Sequence, residues 1–223
     1  MELEILQPVP ASRVATLTAA AERYARAAFL AEQYLASRGI DPETSAGFGL
    51  GVVTDPIPEH DYLEGWLSIP YRNHAGEVMK IRFRCIEDHD GESCRDLGHG
   101  KYLDIAGERQ MMFNSGAILD ADDEIHICEG EGDCIVLSQL GLPAVALPGA
   151  KSWRPHHKRM LAGFTRVLIW ADPDEAGREL ADKIQSDIPE AQVVPLPLGD
   201  VNETFLAGGV DAINDALDRL EAA

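Results

Sequence analysis

The chain is short of positive charge. Its 223 residues hold 19 Lys and Arg against 38 Asp and Glu, a formal net charge of −19. That excludes a uniformly basic coat, the usual means of holding polyphosphate. An acidic chain that handles phosphate must concentrate its few cations locally or borrow positive charge from metal ions. Long apolar runs are also lacking, and none reaches the roughly 18 residues that a membrane-spanning helix needs. The amino terminus, Met1-Glu2-Leu3-Glu4, has no basic segment ahead of an apolar one, so it does not read as a secretory signal. A cytoplasmic location is the expectation. Cysteine is scarce. The four at 85, 94, 128 and 134 form no Cys-x-x-Cys pair. They are read as reduced, mostly buried thiols, and no zinc is expected. There is no internal repeat and no low-complexity tract.

What is present suits a globular α/β protein. Hydrophobic residues make up 45% and charged ones 26%, and the length allows a domain of about 150–200 residues with an appendage, or two small lobes. Residues 13–38 predict one Ala-rich helix with Leu17, Tyr24, Ala31 and Leu35 along one side, closed by Gly39. Residues 46–53 look like a short strand. Residues 65–72 and 77–86 predict a hairpin around Asn73-His74-Ala75-Gly76, and 87–100 an exposed loop. From residue 124 strands and helices alternate. Strands are expected at 124–128, 143–147, 166–170 and 192–196, with helices at 132–140, 156–163 and 175–186 and a closing helix at 210–220. This order predicts a parallel sheet with right-handed crossovers. The expected division is a mixed α/β lobe over 1–118, a Rossmann-like parallel-sheet domain over 119–205 and a closing helix over 206–223.

The charges are not evenly spread. Lys80, Arg82 and Arg84 alternate, so on a strand they share one face. A second basic cluster runs from Lys151 through Arg154 and Lys158 to Arg159. Two acidic clusters fall where open α/β sheets bind ligands, beyond the carboxyl ends of strands. Glu129-Gly130-Glu131-Gly132-Asp133 follows the strand at 124–128, and Asp172-Pro173-Asp174 follows the strand at 166–170. Such residues can cap the next helix and favour its positive dipole end. Two clusters at one edge of one sheet also suit a hard divalent cation, Mg²⁺ or Mn²⁺, which tolerates oxygen ligands and keeps several waters. Among the tryptophans, Trp170 ends an apolar strand and reads as core, while Trp153 lies in the basic loop and is the better candidate for stacking on a base. His156 and His157 read as surface residues at a helix start.

These residues match a family pattern. Glu129-Gly130, Asp133 and Asp172-Pro173-Asp174-Glu175-Ala176-Gly177 resemble the TOPRIM domain, and the last six take the Asp-x-Asp-x-Ala-Gly form of DnaG-type primases. The resemblance extends to Gln33 through Ile40, to the hairpin up to Arg84, to Gly100-Lys101-Tyr102-Leu103, to the Leu142–Lys151 segment, and to Asp200-Val201-Asn202-Glu203, which is similar to a segment of phage primase–helicases. It implies synthesis of RNA primers on single-stranded DNA from ribonucleoside triphosphates by a compact, phage-type polymerase core. It further implies Glu129, Asp133, Asp172 and Asp174 as catalytic residues, and Glu129, Asp172, Asp174 and Asp200 as ligands of Mg²⁺ or Mn²⁺. Lys80, Arg82, Arg84, Lys101 and Lys151 are implied to hold nucleotide or template. The basic residue that bacterial primases carry after the Lys-Tyr-Leu segment is replaced by Asn114-Ser115-Gly116. No zinc-binding or helicase-binding module is discernible, so a separate zinc-binding subunit and a replicative helicase are the expected partners. A TOPRIM nuclease and a non-catalytic replisome subunit are the alternatives.

Overall fold

The alternating pattern of residues 67–84 is realised as a hairpin. A computed structural model describes residues 8–149 and 152–222, and these form two units. The first comprises the described residues up to Ala31 together with Ala46–Glu108. Its helix α1 (Ala11–Ala25) turns Val14, Leu17, Ala20, Ala21 and Tyr24 inward, at the three-to-four spacing of one helical face. They pack on an antiparallel sheet of β1 (Gly51–Val52), β2 (Leu67–Arg72), β3 (Val78–Arg84) and β4 (Tyr102–Leu103), in that spatial order. Ile81 and Phe83 of β3 meet Leu17 and Tyr24 in the core. The hairpin turn is tied by Asn73 Oδ1, which accepts from the amides of Ala75 and Glu77 at 3.0 Å each.

The single long helix expected over 13–38 is broken. The last turn of α1 tightens into bonds from the Arg26 amide to the Arg23 carbonyl and from Ala27 to Tyr24, where Gly51 of β1 packs on the Tyr24 carbonyl. A Cβ on Gly51 would lie 2.3 Å from that group. A 3₁₀ turn, Ala28–Ala31, then leads into α2 (Glu32–Ser37). Of the strand expected at 46–53 only Gly51–Val52 forms one, and residues 46–48 are the last turn of a helix, α3 (Pro42–Phe48). Asp41 caps it, its Oδ1 accepting from the Thr44 amide at 2.7 Å, and Pro42 supplies the fixed φ that a first helical turn favours.

The second unit contains Glu32–Ser45 and everything described from Arg109 onward. Its elements are α4 (Ala117–Asp120), β5 (Glu124–Cys128), α5 (Glu131–Gln139), β6 (Ala144–Ala146), α6 (Pro155–Leu161), β7 (Arg166–Trp170), α7 (Glu175–Asp187), β8 (Gln192–Val193) and α8 (Val201–Glu221). All pairings in the four-stranded sheet, ordered β6-β5-β7-β8, are parallel. The central strands β5 and β7 read Glu-Ile-His-Ile-Cys and Arg-Val-Leu-Ile-Trp, the near-continuous apolar runs of strands covered on both faces. Ile125, Ile127, Val167 and Ile169 join Leu180 and Ile184 of α7 in one core. His126 sits wholly buried in β5, its Nδ1 accepting from Trp170 Nε1 at 2.9 Å and its Nε2 2.9 Å from Glu124 Oε1. An Nδ1 that accepts leaves the proton on Nε2, which donates to Glu124.

The unit boundary falls after Glu108, short of the boundary at 118 expected from the sequence, and the segment 32–45 belongs with the parallel sheet. The closing helix starts at Val201 instead of 210, because Asp200 caps it, accepting from the Glu203 amide at 2.7 Å. Gly209, with φ 65, kinks it midway. Trp153 is not an exposed stacking platform. It is buried, with Nε1 donating to Asp187 Oδ2 at 2.7 Å. His157 is likewise buried, its Nδ1 accepting from the Arg154 amide. Burial, then His156 and Arg154, holds its imidazole down at about 4, so it stays neutral. Among the described residues no helix is long and apolar enough to cross a membrane.

Candidate active site

Register decides which carboxylates can meet. Cys128 and Trp170 are partners in the parallel pairing of β5 with β7, so the two chains leave the same edge side by side, about 5 Å apart. Glu129 is the next residue on one strand, and Asp172 lies two beyond Trp170 on the other. α5 then begins at Glu131 behind Gly130, and α7 begins behind Asp174.

The carboxylates feel one another. Burial, reinforced by Asp172 and Asp174, lifts Glu129 to about 7. Burial and then the charges of Asp200, Asp174 and Glu203 lift Asp172 to about 6, with Arg38 opposing. Asp133, 6% exposed, is lifted to about 8 by burial and by Asp200 and Asp172. Burial is the first cause in all three, and the neighbouring carboxylate charges add to it, as expected of acids that follow adjacent parallel strand ends. Asp133 is further fixed by its Oδ1, which accepts from the Asn202 amide at 3.2 Å. Asp174 and Asp200 do what isolated acidic residues at helix starts do, and cap. Asp174 Oδ1 accepts from the Gly177 amide at 2.9 Å. The capping reading of the sequence is thus realised at Asp174, and one oxygen of each cap makes the helix-starting bond.

A divalent cation fits this set. Glu129 Oε2 is buried without a hydrogen-bond partner among the described residues. A buried oxygen so placed costs about 1–3 kcal/mol until something meets it. The donors are oxygen only, as Mg²⁺ or Mn²⁺ requires. The nearby Cys134 thiol is occupied, donating to the Ala144 carbonyl at 3.2 Å, and burial pushes the Cys128 thiol far up, so neither is a thiolate ligand.

The glycine of the Asp-Pro-Asp-Glu-Ala-Gly run has a steric reason. A Cβ on Gly177 would lie 2.2 Å from the Asp172 carbonyl oxygen and 2.7 Å from its amide nitrogen. Both are backbone atoms that cannot rotate away. Gly177→Ala is therefore expected to push Asp172 off its position and lower turnover about a hundredfold, with a cost of about 1–3 kcal/mol in stability. Steady-state rates beside a thermal melt check this, and unaltered turnover in the Gly177→Ala variant would show that Asp172 tolerates displacement.

Two residues outside the sequence-based set belong to this site. Arg38 reaches it through the α2 segment. Its Nη2 donates to Asn202 Oδ1 at 2.9 Å and lies 3.8 Å from Asp200 Oδ2. The fully buried Asn202 returns a bond from Nδ2 to the Arg38 carbonyl at 2.8 Å. Arg38 is the cation that opposes the lifting of both Asp133 and Asp172. The sequence signal was present in the segments around 38 and 202, but a contact spanning 164 positions left no local trace.

The basic residues lie in the first unit. Lys80, Arg82 and Arg84 do share one face of β3, and both guanidinium groups lie 4.7 Å from the Tyr102 ring centre. Lys80 is buried, with Nζ 2.6 Å from Asp104 Oδ1. Its charge is neutralised by a carboxylate and it props the sheet. Arg84 is 7% exposed and Lys101 is exposed. Lys151 lies outside the described residues.

A family described as Toprim-like matches residues 126–205, the stretch that holds Glu129, Asp133, Asp172, Asp174 and Asp200. The gene 57 protein of Mycobacterium phage D29 is 34% identical, over 67% of this chain and 95% of that protein. A DNA primase of Pseudomonas putida is 27% identical over 92% of this chain, which spans 38% of that primase's length. In three dimensions the chain is similar to the RNA polymerase domain of Mycobacterium tuberculosis primase DnaG, solved in complex with double-stranded DNA. The TM-score is 0.73 with 24% identity, covering 94% of this chain and 81% of that one.

Proposed function

Because the chain belongs to the DnaG-type primase catalytic-core family and carries a TOPRIM domain, we propose that it synthesises RNA primers on single-stranded DNA from ribonucleoside triphosphates. The observation that carries this reading is that Glu129, Asp172 and Asp174 follow the adjacent ends of two paired parallel strands, with Glu129 Oε2 buried and without a hydrogen-bond partner among the described residues. Glu129, Asp172, Asp174 and Asp200 would hold Mg²⁺ or Mn²⁺, which when bound supplies charge neutralisation at the phosphates.

The chain's own residues do the rest. In nucleotidyl transfer a 3′-hydroxyl oxygen attacks the α-phosphorus, the bond to the pyrophosphate oxygen breaks, and the hydroxyl proton must leave. Where it is not itself taken up by the ion, Glu129, first residue beyond β5, is the carboxylate placed to accept that proton. Asp133, buried and held by the Asn202 amide, positions its neighbours without touching substrate. Arg38 balances part of the surplus negative charge and locks the α8 cap in place. Arg82, Arg84 and Lys101 of the first unit hold nucleotide or template phosphates. A zinc-binding subunit and a helicase are the partners that would add template choice and processive access.

The test is product analysis. Single-stranded DNA, labelled ribonucleotides and Mg²⁺ or Mn²⁺ are expected to give short RNA. Shortened DNA without new RNA would transfer the same carboxylates to a nuclease.

A further inference from the structure

The loop between β3 and β4 holds a feature that the primase reading does not use. From the sequence alone its thiols are expected to bind nothing. Cys85, His89, Cys94 and His99 nonetheless converge, with one ligand-type atom from each lying within 4.8 Å of the others. Their spacing is Cys-x₃-His-x₄-Cys-x₄-His. His89 Nε2 lies 3.3 Å from Cys85 Sγ and 3.6 Å from Cys94 Sγ. Zinc ligated at about 2.3 Å by sulfur and about 2.05 Å by nitrogen, at tetrahedral angles, places such S and N atoms about 3.6 Å apart. The same arithmetic puts two sulfurs about 3.8 Å apart, so the quartet needs only to contract by about an ångström.

The protonation pattern agrees. His99 Nδ1 lies 3.1 Å from the Gly100 carbonyl. A carbonyl only accepts, so Nδ1 carries the proton and Nε2 keeps its lone pair. His89 turns Nε2 to the two sulfurs and leaves Nδ1 4.0 Å from Glu87 Oε2. An imidazole backed on its far nitrogen by a carbonyl or carboxylate is the usual arrangement at zinc. Both cysteines are free thiols, and Cys85 is buried. The loop is shaped to bring the four together. The His99 amide donates to the Cys94 carbonyl at 3.0 Å, while Asp90, Gly91 and Gly98 take positive φ at its bends. The Trp66 ring packs on His99, with centroids 5.2 Å apart.

We propose that Cys85, His89, Cys94 and His99 form a structural Zn²⁺ site. It would close the β3–β4 loop as a clasp. Four protein ligands leave no open position, which marks a structural ion over a catalytic one. Two thiolates balance the ion, so the loop gains order without new net charge. The clasp bears on function through its neighbours. Arg84 directly precedes Cys85, Lys101 follows His99 by two residues, and the Cys85 amide donates to the Lys101 carbonyl at 3.1 Å. Zinc would hold those two cations in register.

Full-length protein, stripped and then equilibrated with Zn²⁺ in a metal buffer, is expected to bind one equivalent that the double variant Cys85→Ser/Cys94→Ser lacks. Replacing Zn²⁺ with Co²⁺ in the wild-type chain should give intense tetrahedral visible bands and a sulfur-to-cobalt charge-transfer band, both missing in the double variant. Should the serine variant fail to fold, Glu87→Gln provides a gentler probe, with zinc held about tenfold more weakly at an unchanged far-ultraviolet spectrum. A wild-type cobalt adduct with no thiolate band, or equal zinc content in wild-type and folded double variant, would overturn the proposal. Neither readout depends on primer synthesis, so failure here leaves the primase reading standing.

Discussion

Replacing Asp172 with asparagine is expected to cut primer synthesis about a thousandfold or more, ~4 kcal/mol of transition-state stabilisation, while the fold stays intact or grows firmer without metal. The amide keeps the shape of the carboxylate and removes its charge. Asp172 is lifted to about 6 by burial and then by Asp200, Asp174 and Glu203, so at neutral pH it is ionised against opposition. Neutralising it relieves a repulsion that only a cation otherwise relieves. Ribonucleotide incorporation and thermal melting, run on the same preparation, separate the two effects. Joint replacement of Asp172 and Asp174 should lose little more than Asp172 alone, since groups that act as a unit are not additive. Near-native incorporation by the Asp172→Asn variant would remove Asp172 from the chemistry.

The second large effect concerns stability. Glu129, Asp172 and Asp133 all have folded values above those of the unfolded chain, at about 7, 6 and 8 against 4.5, 3.8 and 3.8. The folded protein therefore binds protons more tightly than the unfolded one. Below these unfolded values the three groups are protonated in both states, and their contribution to stability is at its full value. As pH rises, ionisation is resisted in the folded form, and that contribution is lost progressively until about pH 8. Without divalent ions the melting temperature should drop across this window by at least several degrees. Mg²⁺ or Mn²⁺ should restore most of the loss, with a stabilising shift that grows with pH, because the ion competes with protons for the same oxygens. Calorimetry at a series of pH values with and without the ion measures this. A shift of equal size at every pH would place the ion elsewhere.

Much of the second unit was readable in the sequence, and the reason is local. The strands 124–128 and 166–170 are apolar runs framed by charge, and their observed bounds coincide with the expected ones. The acidic site could be assembled on paper because parallel strands put consecutive strand ends on one edge. What escaped depended on distant partners. The segment 46–53 alternates glycine with apolar residues like a strand, yet the helix that the Asp41 cap starts runs on into it as far as Phe48. Trp153 sits among basic residues in sequence and finds Asp187 only after folding. Arg38 joins the site across 164 positions. The Cys and His quartet lies in an irregular loop with none of the close Cys pairs that flag such groups, and only the turns at residues 90, 91 and 98 bring it together.

Asp174 and Asp200 each begin a helix with one side-chain oxygen. Asparagine begins helices as well as aspartate does. On the proposed reading, a single-base change in either codon would therefore leave a helix as well started and a metal ligand lost. Selection for folding alone would not register that change, so a melt cannot stand in for an activity assay at either position.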